Sequence, residues 1–244
     1  DEREELMVPR RVFSIEQLLE LLDEVVLTGG SDRTQHTAGA YWSSRLQEEK
    51  HPLNHDLPDE PLVTWVRKGI LGDLRGLAVL DIGAGNGRNS RWLASQGAQV
   101  TAVDIARDLL ATYVGCDGVS TVHADFLRDQ LPTSNFDLVY DSGCFHHIPP
   151  HRRSTYLDRL RTIVTRPGQL YGIAAFASEK LNVLGDEEAM LSPGRFNGYT
   201  FSLNQLAKMV APWEVLDLRP FSRHVADSFA PDYLNAGLFR LGGS

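Results

Sequence analysis

The chain has 244 residues, a formal net charge of −8, and 42% hydrophobic against 23% charged residues; it is long enough for one sizeable core and too apolar to be disordered as a whole. Only four of its 24 basic residues are lysines and no basic stripe stands out, which argues against nucleic acid as a partner, because phosphate neutralisation needs clustered Lys and Arg. Its two cysteines, Cys116 and Cys144, exclude a disulfide framework and a four-cysteine zinc site, so no metal is expected, a reducing cytoplasm is the default compartment, and no apolar run reaches the roughly 20 residues of a membrane span.

Residues 1–13 are charged and predict a loose start. Ser14-Ile15-Glu16-Gln17 resembles a capping box, and Ile15, Leu18, Leu22, Val25 and Val26 then recur at helical spacing up to a stop at Gly29-Gly30. Residues 31–58 are polar and too long for a simple connection, which suggests a functional flap. Leu62 to Leu71 reads as a helix leading into the core. From Leu77 onward strands expected at 77–82, 99–103, 119–123, 136–141 and 168–176 alternate with helices at 88–96, 106–114 and 152–165. Arg152-Arg153, the densest basic spot, reads as an exposed helix start. Residues 177–200 show little pattern, Ser202 caps a last helix to about Ala211, and 213–219 and 233–241 suit closing strands. Alternation of this kind predicts an α/β fold, a mostly parallel sheet with helices on both faces. One domain is expected, with residues 1–70 as an N-terminal helical cap on a core at 71–244.

The densest chemical signal lies in the first of these strand-turn-helix units. Val79-Leu80-Asp81-Ile82 stops at Gly83-Ala84-Gly85-Asn86-Gly87, and a helix pattern follows at once. Glycines let a backbone pass close to a ligand, and a helix N-terminus offers free N–H groups and a positive dipole end. The spacing is G-x-G-x-G with Arg at position 88, so the third glycine of the pyrophosphate fingerprint is missing. Asp81 adds an acid that suits a cationic ligand end. Asp104 closes the next strand, where a carboxylate can accept both ribose hydroxyls of an adenosine. His123-Ala124-Asp125-Phe126 closes the third, with Asp125 placed for an adenine amino group and Phe126 for the ring. Phe136 to Pro149 holds the fourth strand and its loop, with Asp141 outside its carboxyl end.

The series VLDIGAGNGRNSRWLA, VTAVDIA, HADF and FDLVYDSGCFHHIP, in this order, resembles class I S-adenosylmethionine-dependent methyltransferases of the small-molecule type, nearest to the tellurite-resistance and thiopurine methyltransferase-like branch. The resemblance covers roughly residues 77–175, and Tyr41-Trp42-Ser43-Ser44-Arg45 is similar to a cofactor-covering segment of that branch. It implies a Rossmann-like, seven-stranded, mostly parallel sheet and S-adenosyl-L-methionine as cofactor, with S-adenosyl-L-homocysteine as product. It implies that Asp81, Gly83, Ala84 and Gly85 hold the methionine portion, Asp104 the ribose, and Asp125 and Phe126 the adenine, with Asn86, Asn89 and Ile105 also among the cofactor-binding residues. Asp141 and Ser142, with Phe145 and His146, would border the methyl group. The Asn/Asp-Pro-Pro-aromatic motif of enzymes that methylate base or glutamine amino groups is absent: Asp141-Ser142-Gly143-Cys144 stands there. Two cysteines cannot supply the triad of a radical iron–sulfur cluster.

A sulfonium already activates its methyl group, so alignment of a nucleophile is the main task, and a histidine base would help with a hydroxyl. His146 and His147 are the candidate catalytic residues, with His36, His51 and His55 as rivals. Tyr41, Trp42, Phe145, Phe176, Phe196, Tyr199 and Phe201 are candidates for an apolar substrate pocket. The expected activity is methylation of a small molecule, such as a specialised metabolite, at O or N, by a monomer or homodimer. Alternatives are methylation of S, Se, Te or halide, a cyclase or rearrangement enzyme that keeps the methyl on the cofactor, and an NAD-dependent oxidoreductase, which the glycine spacing disfavours.

Overall fold

The computed structural model describes residues 12–28, 33–131, 135–181, 185–191 and 198–243. Five parallel strands, β1 (Ala78–Ile82), β2 (Gln99–Asp104), β3 (Val119–His123), β4 (Leu138–Ser142) and β5 (Leu170–Ala177), form the body of one sheet. A two-residue strand, β6 (Thr200–Phe201), pairs with the end of β5, and β7 (Glu214–Pro220) and β8 (Leu234–Arg240) close the sheet as an antiparallel hairpin. The main path of seven strands runs β3-β2-β1-β4-β5-β8-β7. Chain order reverses between β1 and β4, which opens a crevice beyond their carboxyl ends.

Residues on β1 and β4 explain why these segments read as apolar runs rather than alternating ones. Val79, Leu138 and Tyr140 face one hydrophobic cluster, and Leu80, Ile82 and Val139 face the other. Successive side chains of a strand point to opposite faces, so a strand covered on both sides must be apolar throughout. The first cluster is completed by Leu62 and Trp65 of α3 (Glu60–Arg67) and Leu93 of α4 (Arg88–Ser95). The second takes Tyr156 and Leu160, and it also includes Leu206 of a late helix. Those residues belong to the helices Arg153–Ile163 and Leu203–Met209; a five-residue helix, Arg107–Ala111, follows β2.

Register brings the functional ends together. Ile82 pairs with Val103 on one side and Asp141 on the other, and Asp104 pairs with His123. The residues that follow β1, β2, β3 and β4 therefore emerge on one edge. Over that edge lies α2 (Gly39–Gln47), within the stretch expected as a flap, and α1 (Ile15–Thr28) docks beside it.

Four local expectations are corrected. Gln17 donates its backbone N–H to Ser14 Oγ at 3.2 Å, but its side chain accepts from Phe13 N, so the reciprocal half of the capping box shifts by one residue. Arg152 is not an exposed helix start: it is 2% exposed and its guanidinium meets Asp23 of α1 at 2.6 Å and Glu16 at 3.1 Å. Burying one cation against two acids of a distant helix is a tertiary event that a local charge pair does not announce. The helix expected at 106–114 ends at Ala111, where Thr112 turns its hydroxyl onto the Leu109 carbonyl at 2.6 Å. The pattern-poor segment 177–200 contains a short helix, Asp186–Leu191. The stop at Gly29-Gly30, the loose start up to residue 11 and Phe196 lie outside the described residues. Among the described residues, no helix is long and apolar enough to cross a membrane.

Candidate functional site

The turn after β1 runs through Gly83, Gly85 and Gly87 at φ of 66°, 55° and 73°, a region that favours glycine. The structure changes the reason for two of them. A Cβ at Gly83 would lie 2.7 Å from Cβ of Cys144, and one at Gly87 would lie 2.7 Å from the Tyr113 ring. These glycines make room for the protein's own neighbours. The N–H groups of Gly83 and Ala84 are spent on the Val103 carbonyl at 2.8 and 3.1 Å.

Beyond this turn lies a cavity of about 460 Å³. On the β3–β2 side of the sheet edge stand Asp104, Ile105, Asp125, Phe126 and Leu127, and on the β4–β5–β8 side His146, His147, Phe176, Phe229 and Tyr233; Trp42, beside Tyr41, bridges the two, packing on Leu46, Ala106 and Leu109 as well as on His147. Asp104 accepts from Gly85 N at 2.8 Å and Ala106 N at 2.7 Å, one bond on each oxygen. A carboxylate offers about four acceptor positions, so two remain for a ligand with paired hydroxyls. Asp125 is held in the same way, by Leu127 N at 2.8 Å and by the Arg128 guanidinium at 2.8 Å. Arg128 also reaches Asp23 of α1 at 2.9 Å, which ties the cap to this end of the cavity. Phe126 lines the cavity next to Asp125, and its ring also packs on Tyr156 at 5.0 Å at the margin of the core. Ile105 and Leu127 line the cavity beside it.

A second, smaller space of about 40 Å³ opens beside the glycine turn and is lined by Asp81, Ala84, Asn86, Asn89 and Ser142 among others. Asp81 is buried and accepts from Ser90 Oγ at 2.5 Å. Burial pushes its carboxyl up to about 7, helped by the neighbouring acids Asp59 and Asp141 and opposed by Ser90 and Arg88. Asn86 donates to the Leu53 carbonyl at 2.8 Å. Asn89 is not free for a ligand, because Asp59 takes both ends of its amide, at 2.9 and 3.2 Å.

Asp59 is the residue that sequence reasoning missed. It is fully buried and accepts from Arg88 at 2.6 Å, Ser142 Oγ at 2.6 Å and Tyr140 Oη at 2.7 Å, besides Asn89. It sits just ahead of Glu60-Pro61, where a helix N-cap is expected, yet its side chain makes no cap bond. Its partners lie 30 or more residues away, apart from Arg88 at 29. Only the sequence signal of an N-cap was available, and it pointed to a different job. Phe229 and Tyr233, from the loop before β8, are further lining residues with no sequence motif.

Three expected site residues turn away from the cavity. Asp141 is buried and holds the loop after β4, accepting from Cys144 N at 2.8 Å, Phe145 N at 3.1 Å and Tyr156 Oη at 2.7 Å. Phe145 packs between Tyr156 and Phe201 at 5.0 Å from each, which puts Phe201 in the core as well. Tyr199 is buried in the same cluster, with the Arg153 guanidinium 4.3 Å from its ring. Phe145 and Tyr199 lost their expected place because large apolar rings are worth more in a closed core than on a cavity wall, and Asp141 lost its place because three donors hold its carboxylate inside.

Tyr41, Trp42, Phe176, His146 and His147 do come together. Trp42 meets His147 at 4.7 Å, His147 meets His146 at 4.4 Å, and His146 stacks on Phe176 at 3.8 Å and 13°. This geometry speaks against His146 as a base. Its Nδ1 accepts from Phe176 N at 3.2 Å, so the neutral ring carries its proton on Nε2. Burial drives it down to about 3. Burial also holds His147 well below the ordinary histidine range, and the charges of His146 and Arg33 push the same way. Among the rivals, His51 lines the cavity with Nδ1 accepting from Leu53 N at 3.2 Å, and His55 bonds Leu57 N at 3.0 Å. The His36 side chain lies outside the described residues. Among the described residues, no three His, Cys, Asp or Glu side chains gather as a metal site.

Residues 79–168 match the family described as "Methyltransferase domain". The chain is similar to an uncharacterized methyltransferase of Mycobacterium bovis, at 36% identity over 106 residues, which is 42% of this chain and 52% of the relative. It is also similar to the ubiquinone biosynthesis O-methyltransferase of Xanthomonas oryzae, at 32% over 136 residues, 49% of this chain and 56% of that one. The chain thus spans about half the length of the curated relatives it matches. Among solved structures, the 1,6-didemethyltoxoflavin-N1-methyltransferase of Burkholderia thailandensis, crystallised with its substrate and S-adenosylhomocysteine, superposes with a TM-score of 0.53. It covers 97% of this chain and 94% of its own at 22% identity, a likeness of fold.

Proposed function

We propose that the chain, whose residues 79–168 match a methyltransferase domain, is a class I S-adenosylmethionine-dependent methyltransferase that methylates a small-molecule acceptor at oxygen or nitrogen. The observation that carries this reading is one continuous cavity with two unlike ends, strand-end acids at one and a ring-lined wall at the other. The residues fit the cofactor: Asp104 has two acceptor positions left for the ribose, Asp125 stands one strand further for the adenine, and Asp81 lies beside the glycine turn for the methionine ammonium. When bound, the cofactor supplies a methyl group activated on a sulfonium.

The protein's own contribution is then positional. Tyr41, Trp42 and Leu46 of α2 line the cavity. Phe176 and His146, stacked and tied to the backbone, form a rigid wall against which an acceptor is held. Fixing two reactants in line supplies roughly 7–11 kcal/mol of a barrier, so this arrangement does not depend on a general base. The aromatic residues favour an organic acceptor large enough to touch several of them over a bare halide or chalcogenide ion.

The test is incubation with S-adenosylmethionine and a panel of acceptors, read by mass spectrometry. The expected result is a product heavier by one methyl, with S-adenosylhomocysteine released in equal amount. Conversion of an acceptor without homocysteine release would point instead to a rearrangement that keeps the methyl on the cofactor. Absence of any S-adenosylhomocysteine binding by calorimetry overturns the reading.

A pH dependence follows from Asp81. The free carboxyl titrates near pH 7, and an ammonium beside it favours the ionised form. Binding below that pH therefore expels a proton, and affinity for S-adenosylhomocysteine rises as pH rises toward about 7 and then levels. Calorimetry at pH 5.5, 6.5 and 7.5 in buffers of different ionisation heat reads both the trend and the released proton, taking the midpoint near 7 from Asp81 as the reference. Asp81→Asn should flatten it.

A further inference from the structure

We infer that the acceptor presents its nucleophile on a flat aromatic ring and enters the cavity as an anion, a phenolate, enolate or deprotonated ring nitrogen that has left its proton in solvent. The inference rests on the proposed methyltransferase reading and deepens it to a substrate class.

Three observations converge on it. The first concerns shape. The acceptor end is walled by rings on more than one side: Trp42 and His147 from α2 and the loop after β4, Phe176 at the end of β5, and Phe229 and Tyr233 from the loop before β8. Rings in offset or edge-to-face contact hold a flat guest better than a branched aliphatic one.

The second concerns charge. The only acids lining the cavity among the described residues are Asp104 and Asp125, and both stand at the adenosine end. Among the described residues no further carboxylate lines the cavity, so an ammonium acceptor held against the rings would be desolvated without a partner from them, which is costly. The cations that line the same space are Arg33, Arg45 and Arg88. Arg45 also pairs with Glu48 at 2.6 Å and Arg88 with Asp59, so their fields are partly offset. Arg33 lies over Tyr41 at 4.8 Å and close enough to His147 to oppose its protonation. Among the described residues, the charged side chains that line the cavity besides Asp104 and Asp125 are thus cationic.

The third concerns the missing base. His146 has its Nδ1 lone pair engaged by Phe176 N–H. His147 has a buried Nδ1 with no partner, and its ring is wedged between Trp42 and His146. A proton delivered to either ring would place a new cation in an apolar wall beside Arg33. His51, also on the lining, has its Nδ1 lone pair engaged by Leu53 N–H, and burial, then Arg45, lower its pKa against the opposing pull of Glu48. Since none of these histidines, the candidate bases among the described lining residues, is suited to take a proton, the nucleophile arrives without one.

Such a pairing also suits the reaction. The new bond to carbon forms as the carbon–sulfur bond breaks with its electron pair staying on sulfur, so an anion and a sulfonium become two neutral groups. Attraction between opposite charges strengthens as water is excluded, and a reaction that cancels them loses nothing by taking place in a ring-lined cavity.

The experiment uses the full chain loaded with sinefungin, whose ammonium stands for the sulfonium without reacting. The probes are 4-nitrophenol and 7-hydroxycoumarin, whose phenol and phenolate forms absorb differently, titrated at a pH where each is mostly neutral in water. The expected result is binding with at least a tenfold gain in the phenolate-to-phenol ratio of the bound probe, and weaker competition by tyramine, which carries an ammonium, than by 4-hydroxybenzoate. Binding in the neutral form, stronger competition by tyramine, or no binding of either probe to protein that demonstrably holds sinefungin would each overturn the inference. Failure to bind sinefungin or S-adenosylhomocysteine at all would instead remove the methyltransferase reading beneath it.

Discussion

Replacing Asp59 with Ala is expected to destabilise the protein by about 3–5 kcal/mol, the cost of leaving one member of a buried ion pair without its partner. Arg88 is 5% exposed and sits 2.6 Å from the Asp59 carboxylate. Its other hydrogen bonds, to the Leu57 carbonyl at 3.0 Å, Ser142 Oγ at 3.1 Å and Asn89 Oδ1 at 3.3 Å, go to neutral groups and do not balance the charge. The same change strands the hydroxyls of Tyr140 and Ser142, both of which donate to Asp59. Urea unfolding of the wild type and variant measures the loss. The pair Asp59→Ala with Arg88→Met should recover a good part of it, because removing both charges leaves no buried ion. A loss below about 1 kcal/mol for the single change would mean that water reaches Arg88 and that the network is not closed.

Asp104→Asn is expected to weaken S-adenosylhomocysteine binding by about 100-fold while lowering stability far less. A hydrogen bond to a charged group contributes about 1.5–3 kcal/mol, and two such bonds to a ribose are at stake, against 1.4 kcal/mol for each factor of ten. The amide also turns a donor toward one of two backbone N–H groups, Gly85 or Ala106, that now point at the carboxylate from 2.8 and 2.7 Å. That repulsion loosens the turn that shapes the cavity. Calorimetry gives the affinity, and thermal unfolding separates it from a general loss of structure. If affinity falls no more than threefold, Asp104 serves only to hold the turn, and the ribose assignment is wrong.

Nearly all of the central sheet was legible in the chain. Strands buried on both faces need continuous apolar runs, and helices between them need an apolar stripe, so 77–82, 99–103 and 119–123 fell within a residue or two of β1, β2 and β3. The ordered series of strand-end acids was legible for the same reason: each follows directly on an apolar run, and the parallel register lines them up on one edge. That much is local, since it depends on side-chain alternation and chain order.

What the tertiary structure decided is which of the expected side chains face the cavity. Phe145, Tyr199 and Asp141 carry the same residue types as true lining groups but were drawn inward, where rings gain more from burial and a carboxylate can collect three donors. His146 and His147 read as bases by type, yet burial of both rings, with a backbone N–H from β5 on His146, makes them a neutral wall. Asp59, Arg88 and Tyr140 are separated by up to 81 positions and meet only when α3 settles against the sheet. A sequence states which groups exist and in what order. Whether a given carboxylate meets a guanidinium, a hydroxyl or a ligand depends on distances that only the packed chain sets.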